Sequence, residues 1–160
     1  MNTSHPFYQA ETYTPENSTG YLVNRLAQTV TREIDRRMVD LGLTDAQWKP
    51  LLLLRQGSCL TAADLSRKGC HDTGAVTRLL DRLENKGLIR RVRSEADRRV
   101  VNLELTEEGQ QVSAEVPKIL SELANQILAG FSDEEFVIFR DLLNRALTNA
   151  QALSHEGGQS

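Results

Sequence analysis

The chain has 160 residues, 39% of them hydrophobic and 26% charged, with a formal net charge of −3. That suffices for one domain, or two small ones sharing a core, and excludes a disordered composition. No apolar run approaches the ~18–20 residues that span a bilayer, and the opening MNTSHPFYQAETYTPENSTG has neither the basic start nor the apolar stretch of a signal peptide. The expected compartment is therefore the cytoplasm, with no membrane partner.

Residues 1–17 lack periodicity, hold Pro6 and Pro15, and read as a flexible arm. From Ser18 to Leu41 the apolar positions Leu22, Leu26, Val30, Ile34, Met38 and Leu41 recur at helical spacing, and Gly42 ends the run. Leu43-Thr44-Asp45-Ala46-Gln47 carries a capping-box signature that opens a second helix. That helix runs through Trp48 and Leu51–Leu54 toward Gly57, with Pro50 removing one backbone bond. A short third helix follows, with Thr61 as cap and Asp64 three residues on. The segment HDTGAVTRLLDRLENKG is the fourth, capped by Asp72 or Thr73, with Val76, Leu79, Leu80 and Leu83 as its inward stripe and Gly87 at its end.

After Gly87 the period drops toward two. LIRRVR (88–93) and VVNLEL (100–105) read as strands joined by a projecting SEADRR loop, the second with Val101, Leu103 and Leu105 on one face. Thr106 caps a fifth helix, kinked at Pro117, and Ser132 with Glu135 boxes a sixth that carries Phe136, Phe139, Leu143, Ala146, Leu147 and Ala150. A polar tail, 154–160, is expected to be disordered. Helix, helix, short helix, helix, strand, loop, strand, helix, helix is a mainly α (α+β) winged-helix order: six helices plus a two-stranded ribbon.

Charge is distributed unevenly along this order. Residues 60–99 carry ten basic and six acidic side chains, whereas residues 100–160 carry three basic and ten acidic. Steering follows the local potential, so the basic middle is a candidate nucleic-acid surface despite the acidic total.

With its apolar stripe inward, the fourth helix presents Thr73, Thr77, Arg78, Asp81 and Arg82. Asp72, Thr73 and Gly74 open it, where free N–H groups attract phosphate. A solvated face, with Asp81 and Glu84 paired to the arginines, is the competing reading. The loop favours DNA: Asp97 stands two residues before Arg99, with Arg98 between them. A carboxylate so placed can hold a guanidinium extended for a narrow minor groove.

The stretches GLTDAQWKPLLLL and LTAADLSRKGCHDTGAVTRLLDRLENKGLIRRVRSEADRRVVNLELTEEG resemble the MarR family of bacterial transcription regulators. The resemblance implies a homodimer on a pseudo-palindromic, double-stranded operator, acting as a repressor that a small ligand releases. It implies Thr73, Thr77, Arg78 and Arg82 as major-groove readers, Asp97 with Arg99 as the wing pair, and Arg98, Ser66 and Lys68 at the phosphate backbone. It further implies an aromatic carboxylate or phenol as effector, with Trp48 as the wall of its pocket and Arg25, Asp45 and His71 as polar partners. His71 as a helix cap and Trp48 as plain core are the bland alternatives. The lead-in Ser94-Glu95-Ala96 departs from the family's acidic or proline-containing one. Asn85 stands where some members carry a reactive cysteine, which weakens redox sensing.

A dimer also follows from the residues. The first helix and the last two are apolar on a stripe yet lie outside the 44–105 winged unit, so 18–43 and 106–153 are expected to form a dimerisation region.

Cys59 and Cys70 have no zinc-site spacing, and a reducing compartment favours packing thiols. A redox- or metal-sensing regulator working through either is the alternative within DNA binding. A protein-interaction module that does not bind DNA is the alternative outside it. No nucleophile–base pair, phosphate loop or metal cluster suggests an enzyme, and no cofactor or metal is expected.

Overall fold

The computed structural model describes residues 6–58, 60–68 and 73–156, without the side chains of Asp45, Thr73 and 154–156. The expected order holds. Helices α1 (Thr19–Met38), α2 (Asp45–Arg55), α3 (Ala62–Arg67) and α4 (Thr73–Asn85) precede strands β1 (Ile89–Arg93) and β2 (Val101–Leu105), then α5 (Glu107–Ile127) and α6 (Asp133–Glu156). The chain divides into two units, 1–121 and 122–160, with α5 running from one into the other. Among the described residues, no helix is long and apolar enough to cross a membrane.

Most helix starts are fixed by side chains the sequence announces. Ser18 Oγ accepts the Tyr21 N–H at 3.1 Å at the start of α1. Gln47 Oε1 accepts the Thr44 N–H at 3.1 Å at α2. At α6 the box is reciprocal, with Ser132 N–H donating to Glu135 Oε2 at 2.8 Å and Glu135 N–H to Ser132 Oγ at 3.2 Å. Of the two caps expected for α4, Asp72 lies outside the described residues, as do Cys59, Cys70 and His71, and so does the side chain of Thr73.

Two expectations at the chain ends change. The arm is not featureless between residues 6 and 17: Pro15–Asn17 form a 3-10 turn. The Tyr8 hydroxyl accepts the Thr19 N–H at 2.8 Å and packs edge-on to Tyr13, adding a second cap to α1. At the other end α6 continues through Glu156, past the boundary set at 154, because nothing in ALSHE breaks a helix.

The core lies in the first unit. Leu43, Leu51 and Leu54 from the α2 segment, Leu65 from α3, and Val76, Leu79, Leu80 and Leu83 from α4 pack with Leu88, Ile89 and Leu103 of the ribbon, Met38 of α1 and Val116 of α5. All four stripe positions of α4 are buried, so the face they leave outward is the one the periodicity assigns.

Gly87, at φ 73°, lets α4 end in a left-handed turn, with the Leu88 N–H reaching Leu83 O at 3.0 Å and the Gly87 N–H reaching Glu84 O at 2.8 Å. The chain thereby enters β1 directly. Thr106 ties this corner to α5. Its hydroxyl donates to Gly87 O at 2.5 Å and accepts the Gly109 N–H at 3.0 Å. Gly109 is required for the approach, since a Cβ there would stand 1.8 Å from Leu88 O.

The strands pair antiparallel with Ile89 opposite Leu105, Arg91 opposite Leu103 and Arg93 opposite Val101. A third segment joins them: the Leu103 N–H donates to Leu60 O at 2.8 Å. The single residue before Thr61 gives no periodicity to read, so this pairing is visible only in three dimensions.

Candidate nucleic-acid interface

The short α3 is held by a complete capping box. Thr61 Oγ1 accepts the Asp64 N–H at 3.2 Å, and Asp64 Oδ2 accepts the N–H groups of Leu60 and Thr61 at 3.0 and 2.9 Å. The Leu60 N–H, the Thr61 hydroxyl and an ion pair with Arg67 hold the Asp64 carboxyl down at about 2 from 3.8, against the opposing cost of desolvation. Six residues with one buried leucine would not form a helix unaided. The box fixes α3, which packs against α4.

On α4, Gly74, Thr77, Arg78, Asp81 and Arg82 are exposed. Thr73 begins the helix, with its side chain outside the described residues. The competing reading paired Asp81 and Glu84 with arginines of the same helix. Both carboxylates are instead taken by Arg91 of β1. Its Nη2 lies 2.7 Å from Asp81 Oδ1, its Nη1 2.5 Å from Glu84 Oε2, and its backbone N–H donates to Glu84 Oε1 at 3.2 Å. Among the described residues, neither Arg78 nor Arg82 forms an ion pair.

Arg91 is a residue that reasoning from sequence missed. The available signal was its register: it shares a ribbon face with Ile89 and Leu103, where alternation calls for an apolar side chain. Its side chain is 30% exposed. The Asp81 hydrogen bond, ahead of both Glu84 contributions, raises the guanidinium's pKa above the ordinary arginine value despite partial desolvation. Lys86, at the far end of α4, was also missed. Its ammonium donates to Gly42 O at 2.6 Å and Gln47 Oε1 at 2.9 Å, binding the end of α4 to the α1–α2 junction.

The ribbon loop is tightly turned. Ser94 N–H donates to Val100 O and Val100 N–H to Asp97 O, each at 2.9 Å. Asp97 Oδ1 accepts the backbone N–H of Arg99 at 2.9 Å. This corrects one expectation: the carboxylate bonds to the backbone of Arg99 rather than to its guanidinium, because an aspartate naturally accepts the N–H two residues on. Asp97 thus shapes the turn, and Arg98 and Arg99 stand exposed at its tip. Arg90 and Glu104 pair across the ribbon at 2.7 Å.

Other expected residues fare unevenly. Lys68 is exposed at the end of α3, but the Ser66 hydroxyl is buried with no partner among the described residues, so reaching a phosphate requires its side chain to rotate. Arg25 is exposed on α1. Trp48 is half-buried against the core, and its indole N–H, closed off from solvent, has no acceptor among the described residues. His71 and the Asp45 side chain lie outside the described residues.

A buried-stripe helix with an exposed basic face, set behind a short capped helix and followed by a ribbon with arginines at its tip, defines a winged helix-turn-helix protein that binds DNA. The sequence profile of the MarR family matches residues 43–101. Over 102 residues the chain is 33% identical to the HTH-type transcriptional regulator FarR of Neisseria gonorrhoeae, spanning 64% of this chain and 70% of that one. Over 129 residues it is 29% identical to the multiple antibiotic resistance protein MarR of Escherichia coli strain K12, spanning 80% and 90%. The structure of a mutant E. coli MarR complexed with operator DNA has a TM-score of 0.71 at 29% identity, covering 80% of this chain and 92% of that one. The chain belongs to the MarR family of DNA-binding transcription regulators, which are not enzymes.

Proposed function

We propose that two copies of the chain form a repressor that binds a pseudo-palindromic operator, each half-site read by α4 and the ribbon tip, and that a small aromatic acid or phenol releases it. The observation that carries the DNA reading is the outward face of α4, where Arg78 and Arg82 stand free of ion pairs among the described residues. Thr73, Thr77, Arg78 and Arg82 are assigned to base edges, with Gly74 opening the helix toward phosphate. Arg99, its backbone set by Asp97, is assigned to the minor groove, and Arg98, Lys68 and Ser66 to phosphates. The solved E. coli relative bound to operator DNA supports the DNA reading as a whole.

The second copy is supported by apolar surface left uncovered. Along α1 exposure falls from 57% at Leu22 and 42% at Leu26 to 0% at Met38, so one continuous stripe is buried at one end only. On α6, Phe136, Ile138, Leu142, Leu143, Leu147 and Leu153 are exposed. A repeat of the same surfaces across a two-fold axis would cover both and set two α4 helices about one DNA turn apart. The effector assignment rests on Trp48, whose buried N–H has no acceptor among the described residues, one that a carboxylate or phenol oxygen would supply. Arg25, Asp45 and His71 complete that assignment.

The test combines selection of a duplex from a random library with gel shifts across a salt series. Arg99→Ala is expected to weaken binding and reduce the slope of log K against log salt by about one. An unchanged slope and affinity remove the ribbon tip from the interface. A thermal-shift screen of aromatic acids and phenols on wild type and Trp48→Ala tests the effector, and a compound that stabilises both equally excludes Trp48 from its pocket.

A further inference from the structure

We propose that Arg91 is a positioning residue for DNA binding: by holding Asp81 and Glu84 it keeps Arg78 and Arg82 available to DNA and fixes the ribbon against α4. The inference rests on α4 as the reading face. Asp81 lies in the middle of that face, three residues after Arg78 and one before Arg82. At that spacing an aspartate and an arginine on one helix readily pair. An unpartnered Asp81 would therefore compete with DNA for Arg78, and its charge would stand against the phosphates.

The fork of Arg91 removes both problems. One guanidinium spans the two carboxylates at 2.7 and 2.5 Å, and the Arg91 N–H takes Glu84's second oxygen at 3.2 Å. The charge comes from the ribbon rather than from α4, so the same contact that neutralises the helix sets where the ribbon stands. Placing an arginine opposite Leu103 costs the ribbon an apolar contact. Neutralising α4's carboxylates without using α4's own arginines is what that position provides.

The experiment compares wild type, Arg91→Gln, Asp81→Asn and the double variant by fluorescence anisotropy at fixed salt. The probe is a labelled duplex recovered by wild-type selection from a random library. Arg78→Ala and Arg82→Ala are measured alongside, and every variant is melted. Arg91→Gln is expected to weaken binding about tenfold. Asp81→Asn alone is expected to stay close to wild type, because Glu84 still holds Arg91 and the ribbon. The double variant is expected to recover most but not all of the loss, because the competing Asp81 charge is gone while the ribbon lacks its fork. Wild-type affinity in Arg91→Gln, or no recovery in the double variant, overturns the proposal. If Arg91→Gln shows no cooperative melt, Arg91→Lys with and without Asp81→Asn carries the test, because an ammonium does not span two carboxylates as a fork does. Unweakened binding in Arg78→Ala and Arg82→Ala overturns the reading face and this proposal together. Loss in those variants but not at Arg91 overturns this proposal alone.

Discussion

The winged segment and the helices that flank it both carry apolar stripes, but they use them differently. Val76, Leu79, Leu80 and Leu83 of α4 are all buried within their own chain. Leu22 and Leu26 of α1, and Leu143 and Leu147 of α6, also recur at helical spacing and remain open. Periodicity says that a face will be buried. It does not say by what. In the winged segment several short elements converge on one core, whereas the long flanking helices present more apolar surface than their own chain covers.

Truncation breaks this comparison most directly. Leu83, at 0% exposure, has no route to water, so Leu83→Ala is expected to cost about 2–5 kcal/mol in urea unfolding at any protein concentration. Leu147, 56% exposed, should behave otherwise. Concentrating the wild type is expected to raise its melting temperature, and Leu147→Ala to flatten that dependence. A concentration-independent wild-type melt would mean that α6's open face has no second copy.

Gly109→Ala follows, at about 1–3 kcal/mol, because its Cβ would press on the Leu88 carbonyl and force α5 away from the ribbon corner. Chemical denaturation measures it, and a neutral result would show that the corner yields.

The smallest effect is at the capped α3. Asp64→Ala is expected to cost about 1 kcal/mol at neutral pH. Because folding lowers the Asp64 pKa from 3.8 to about 2, the carboxylate's contribution is complete above the unfolded value and fades as pH falls through that interval. Wild type and variant should therefore converge in stability toward pH 2 in acid titrations, and a constant gap would place the carboxylate's role elsewhere.

Much of the fold and of the interface was legible because it depends on local rules. The Thr61–Asp64 box, the Ser132–Glu135 box, the stripe of α4 and the turn at Gly87 each involve residues within a few positions of one another, where helix geometry alone fixes who meets whom. The outward set Thr77, Arg78 and Arg82 follows from the stripe. Less legible was what each charged group does. Asp97 was expected to steer a guanidinium, yet it bonds to a backbone N–H two residues away. The competing reading had Asp81 and Glu84 pair on their own helix, but their partner comes from the next element.

By itself, then, the sequence determined the order of helices and strands, their caps and stops, and the basic character of residues 60–99. Only the tertiary structure decided that Arg91 rather than Arg78 or Arg82 holds the carboxylates of α4, that Lys86 reaches Gly42 and Gln47, that Leu60 extends the ribbon, and that Gly109 is needed where α5 passes Leu88. Periodicity and capping depend on neighbours in the chain, which a sequence displays. Charge pairing and close approach depend on which surfaces meet across a folded core, and long side chains with several partners in reach are assigned only when those distances are fixed.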